Sequence, residues 1–159
     1  MIELLKKIRE LLNTYNLFTT QGEKVYQTAL SFIGKDASPN DEAPDEFGCA
    51  ESVSTILLKS GCIIPIFLST SELNVFLLKS PNWALIASPR RGDVIMSPTG
   101  MGGKNGVNHG HTGIMLSPTL IASNNSATGS FEQNYTLDSW TRRYKIKGNY
   151  PILFYRRLI

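Results

Sequence analysis

The sequence predicts an α+β fold, with helices in the first half and an antiparallel sheet in the second. Three observations predict it. Up to Trp83, apolar residues recur at helical spacing. Beyond Trp83, short apolar stretches alternate with turn residues. The 159 residues contain no internal repeat and no linker, which places both halves in one domain spanning residues 1–159.

Taken in order, residues 1–18 carry Leu4, Leu5, Ile8, Leu11, Leu12 and Tyr15 on one helical face. The first 20 residues are therefore expected to be an extra N-terminal helix packed on the core. A second helix is predicted over Gln21–Ile33, capped by Thr20 and ended by Gly34. The stretch KDASPNDEAPDEFG reads as a long loop. A third helix should run from Cys49 to Ser60, with Val53, Ile56 and Leu57 buried and Gly61 just past its end. In STSELNVFLL, Ser69 and Glu72 have capping-box spacing ahead of a fourth helix. The stretches GDVIMS, HTGIML, TLIASN, FEQNY and YPILFYRRL read as strands. The glycine-rich SPTGMGGKNGVNHG between the first two of these reads as a mobile loop.

Charge and cysteine usage narrow the function classes. The net charge is +3, so nucleic-acid binding is not called for. The basic residues of Thr141–Lys147 and Tyr155–Ile159 make either a solvated face or a surface with affinity for an anionic polymer. Cys49 and Cys62 are too few for a disulfide framework. Along a helix they would stand roughly 19 Å apart, beyond the ~7 Å a disulfide spans. Cys62, in the apolar run GCIIPIF, reads as a small buried hydrophobe. The N-terminus is charged throughout and lacks a leader's apolar stretch, and no segment approaches the roughly 20 apolar residues of a membrane span. The chain is thus expected to be cytoplasmic when made and to reach any outside target by another route.

The chemistry centres on Cys49. A thiol at a helix N-terminus is exposed to the partial positive charge of the first-turn N–H groups, which favours the thiolate and can stabilise an oxyanion. Gly48 before it would leave space for a substrate backbone. Taken alone, Cys49 reads first as a structural thiol. The only histidines are His109 and His111. His111 opens a predicted strand, in phase with Gly113, which would leave room for substrate beside the ring. Such a ring could hold a Cys49 thiolate as an ion pair and later protonate the leaving group. Asn124, in LIASNNS, alternates in phase with Leu120 and Ala122 and would point inward, where its amide needs a partner. An imidazole on the adjacent strand is a natural one. Asn125 takes that place if the register slips by one residue.

These elements resemble the papain-like cysteine peptidoglycan hydrolases, specifically the cysteine, histidine-dependent amidohydrolase/peptidase (CHAP) family and its NlpC-type relatives. The likeness is carried by GCAESVS, PRRGDVIM, GHTGIML, IASNNSATG and ILFYRRL, over residues 25–159. It implies a papain-like domain that cleaves an amide bond of bacterial peptidoglycan, as a muramoyl-alanine amidase or a stem or cross-bridge endopeptidase. By position it makes Cys49 the nucleophile, His111 the base and Asn124 the orienting residue. The family's upstream glutamine is missing. That leaves the Cys49 N–H as the expected oxyanion donor, with Glu46 just upstream a poorer one. The chemistry needs no cofactor, although some family members bind calcium. Here Asp36, Asp41 and Asp45 offer hard oxygens without EF-hand spacing. With no leader, the resemblance points to a monomeric phage endolysin or virion-associated lysin released by a holin, a virion or a secretion system.

Three other readings compete. One is a non-catalytic wall- or partner-binding module on the same fold. A second is a permuted acyltransferase, in which the histidine would precede the cysteine. The third is a zinc site from Cys49, Cys62, His109 and His111, which lacks any C-x-x-C pair.

Overall fold

A computed structural model of the chain describes residues 2–8, 20–38 and 48–158. Helix α1 (residues 2–8) is followed by α2 (Gln21–Phe32), α3 (Gly48–Lys59) and α4 (Thr70–Lys79). The strands are β1 (Trp83–Ile86), β2 (Val94–Ser97), β3 (His111–Met115), β4 (Leu120–Asn125), β5 (Ser130–Thr136) and β6 (Leu153–Arg157). A short α5 (Leu137–Trp140) and a π-helical turn (Thr141–Lys147) separate β5 from β6. The strands form one six-stranded sheet in the order β1-β6-β2-β3-β4-β5, and all its pairings are antiparallel. This is the predicted α+β architecture.

Alternation along the strands feeds two cores. Val94, Met96, Ile114 and Ala122 meet α2, α3 and α4 through Val25, Val53, Ile56, Leu57 and Leu73. Ile95, Met115 and Ile121 meet Trp140, Tyr144 and Tyr150 on the other face. Helix α3 is central. All ten residues from Gly48 to Leu57 are buried, so the helix is enclosed on nearly all sides. A Schellman motif ends it, with Gly61 N–H on Leu58 C=O and Cys62 N–H on Leu57 C=O at 3.0 Å each, and with Gly61 at φ +89°.

Thr20 caps α2 as expected, its Oγ1 accepting from the Glu23 N–H at 3.1 Å. The capping box predicted for α4 does not form: Ser69 makes no side-chain cap and its hydroxyl pairs with Ser71 instead. In α1, Leu4, Leu5 and Ile8 are exposed rather than packed on the core, because other elements already cover both faces of the sheet. Leu11, Leu12 and Tyr15 lie outside the described residues. The glycine-rich loop is pinned rather than loose. Thr99 Oγ1 accepts from Gly110 N–H and from Thr70 Oγ1, and Gly103 N–H reaches Gly148 C=O at 2.8 Å. The RRGDV turn also has a structural job: buried Asp93 takes a two-pronged contact from Arg156 at 2.7 and 3.0 Å, tying β2 to β6.

Candidate active site

Cys49 lies in the first turn of α3, buried against β3. Backbone N–H groups of Thr112, Ala50 and Cys49 itself are directed at its sulfur. They favour the thiolate, as the helix start suggested. Burial outweighs them and pushes the Cys49 thiol up to about 11. At neutral pH the thiol of the substrate-free site is therefore held almost wholly in its protonated form.

His111 opens β3 and is partly buried. Its ring stacks on Trp140 (centroids 5.3 Å apart, 25° between planes) and on Tyr144 (5.8 Å, 18°), with Tyr135 tilted at 5.8 Å. Burial, and then the nearby Arg143 guanidinium, push the imidazole down to about 3. The resting pair is thus neutral thiol and neutral imidazole rather than an ion pair.

The strand register settles what faces the ring. Ile114 pairs with Ala122 and Met115 with Ile121. Carried along the ladder, this sets Gly113 beside Ser123 and puts Asn124 on the opposite, helix-covered face. His111 Nε2 lies 2.9 Å from Ser123 Oγ, and that hydroxyl donates to Asn134 Oδ1 at 2.7 Å. Since the Ser123 proton goes to Asn134, the Ser123 oxygen accepts from Nε2–H. Nδ1 is then the basic nitrogen. A β-bulge supplies Asn134: Ile121 pairs with Tyr135 and Ala122 with Gln133, leaving Asn134 as the extra residue.

The partner expected in Asn124 is therefore Ser123, one residue earlier. Asn124 is buried, its Oδ1 has no hydrogen-bond partner, and its Nδ2 would stand 2.6 Å from a Cβ on Gly48. The space at Gly48 serves this amide rather than a substrate backbone. Likewise, a Cβ on Gly113 would meet Ala122 C=O at 2.6 Å, so that glycine allows close strand approach and not substrate entry. Asn125 closes the β4–β5 turn, accepting from Ala127 N–H and donating to Glu132. Glu46, Asp41 and Asp45 lie outside the described residues, and Asp36 Oδ1 is held by Ser38 N–H and Oγ. Among the described residues no three of His, Cys, Asp and Glu gather as a metal site, and both cysteines are free.

Cys49, His111, Asn124, Asn134 and Arg143 line one polar pocket of about 220 Å³. Cys49 also borders a smaller pocket of about 50 Å³ walled by Leu68, Ser69, Thr70 and Thr99. His109 borders both pockets. Cys49, His109 and Gly110 thus form the wall shared by the two pockets. Sequence reading missed Ser123, Asn134, Tyr135, Trp140, Tyr144 and Arg143. The available signal was the short SPT turn, which makes Leu116 face Leu120 and so fixes the β3–β4 register.

No curated protein matches the sequence. Among solved structures, a chain of the type VI native effector–immunity complex Tae3–Tai3 from Ralstonia pickettii superposes with a TM-score of 0.55 at 22% identity. The match covers 86% of this chain and 98% of that one, and it shows the papain-like α+β fold. The family described as bacteriophage peptidoglycan hydrolase matches residues 37–158, which take in α3, the whole sheet and every pocket residue named above. The chain therefore belongs to the bacteriophage peptidoglycan hydrolase family.

Proposed function

We propose that the chain cleaves an amide bond of peptidoglycan by cysteine catalysis, with Cys49 as nucleophile, His111 as general base and acid, and Ser123 and Asn134 positioning His111. The observation that carries this reading is the convergence of a helix-start thiol and an oriented imidazole on one cleft. As the sulfur attacks the carbonyl carbon, His111 Nδ1 takes the thiol proton. The Cys49 N–H at the start of α3 is the proposed oxyanion donor. The imidazolium then protonates the leaving nitrogen as the C–N bond breaks, leaving a thioester. Water, deprotonated by His111, releases the carboxylate and restores the thiol. Because the resting pair is neutral, proton transfer accompanies attack rather than preceding it.

Digestion of purified peptidoglycan tests the bond class. Free amino groups are expected to rise with time while reducing sugar ends stay constant. A rise in reducing ends would point to glycoside cleavage and defeat the reading. Family membership and the cationic C-terminal half also support a phage lysin acting on an anionic envelope.

The relay to His111 makes a separate prediction. Ser123→Ala removes the acceptor that fixes the Nε2–H tautomer. The expected loss in kcat is roughly 10²-fold, with KM little changed. Parallel changes in kcat and KM would instead indicate a disturbed pocket.

A further inference from the structure

The described lining of the polar pocket carries one Lys, Arg, Asp or Glu side chain, that of Arg143. Its neighbour Arg142 is engaged with Asp138 one helical turn back. Among the described residues, no carboxylate forms an ion pair with Arg143. The guanidinium lies over the Tyr144 ring, 5.6 Å from its centroid, within cation–π range. The ring's other neighbours hold it in turn. Tyr144 is buried, stacked on His111 and packed on Trp140 at 4.8 Å, while the Trp140 indole donates to Ser97 Oγ at 3.0 Å. The widened π-helical turn presents this arginine beside the buried aromatic residues. An exposed guanidinium at the edge of a pocket that holds no carboxylate among its described lining residues is an arrangement that can capture a carboxylate with two parallel hydrogen bonds.

The cation also stands where it works against the proposed base. A positive charge near His111 disfavours the imidazolium that catalysis must form. An incoming carboxylate on Arg143 would cancel that charge at the moment substrate binds.

From this we infer that Arg143 is a substrate-recognition residue that binds a free carboxylate of the peptidoglycan stem peptide close to the scissile amide. The inference rests on the proposed amide hydrolysis and names what the substrate must carry. Stem peptides retain carboxylates that take no part in peptide links, and these exist in free and carboxamide forms. The two forms are nearly isosteric, so discrimination between them reports charge recognition and not fit.

The test uses one stem-peptide substrate in both forms. Wild-type protein is expected to favour the free carboxylate by about tenfold or more in kcat/KM. Arg143→Gln is expected to treat the two forms within about twofold of each other, and Arg143→Lys, a point charge without the fork, to fall between. Arg143→Gln should also move the acid limb of the pH profile upward, since loss of a nearby positive charge favours the imidazolium. Equal use of both forms by the wild type would overturn the proposal, as would equal discrimination by wild type and Arg143→Gln. Calorimetric binding of the same two peptides to Cys49→Ala, with and without Arg143→Gln, separates the subsite from the hydrolysis. If binding discriminates and depends on Arg143 while neither form is hydrolysed by the wild type, the subsite stands and the hydrolytic reading fails.

Discussion

His111→Gln lowers kcat/KM at pH 7 by about 10³–10⁴-fold, and part of the loss returns as the pH rises. The sign follows from the Cys49 environment. Burial holds its thiol protonated up to about 11, so at pH 7 only roughly one molecule in 10⁴ carries a thiolate without help. In the proposed mechanism, His111 removes that proton within the attack step. In the variant only bulk base can do so, and activity should climb nearly tenfold per pH unit toward 11. The wild type behaves differently at the acid end. Burial and Arg143 lower the imidazole to about 3, so His111 stays neutral and competent well below the pH at which a free histidine protonates. A rate profile on purified peptidoglycan checks both limbs. A variant within tenfold of wild type at pH 7, or one with a flat alkaline profile, would show that His111 is not the base.

The parts of the fold legible in the sequence were those written in periodicity and punctuation. Helix α3 could be read from Val53, Ile56 and Leu57 and from Gly61 at its end, and five of the six strands from alternation. Strand β1, only four residues long, carries too little pattern to stand out. The π-helical turn follows neither a 3.6 nor a 2.0 period, and TRRYKIK reads as a charged surface, although Tyr144 in its middle is buried under His111.

The site was legible in its chemical types and less so in its partners. Alternation gave Asn124 an inward direction, and inward was correct; which side of the sheet that meant depended on a register set by the turn between Leu116 and Leu120. Crossing to the other face replaces Asn124 with Ser123 beside His111. Asn134 was hidden for a different reason, since a bulge breaks the alternation that would reveal it. Gly48 and Gly113 were both read as room for substrate, yet Asn124 and β4 fill that room. A missing side chain marks a close approach without naming what approaches. Charge state was the least legible property. The helix start argued for a thiolate, and the opposing desolvation becomes visible only when α3 is seen packed against β3.

Cys49→Ala tests the central claim most directly, because no other group in the cleft can form the thioester. Cys62 cannot substitute for it, since it lies beyond the opposite end of α3, buried beside Ser60. The alanine removes a single sulfur from a buried first-turn position and leaves Gly48, Asn124 and the helix start in place, so folding should survive and circular dichroism can verify that it does. Release of soluble amino ends from purified peptidoglycan should fall at least ~10⁴-fold in Cys49→Ala and remain at the wild-type level in Cys62→Ala. Release at the wild-type rate by a folded Cys49→Ala protein would contradict the account.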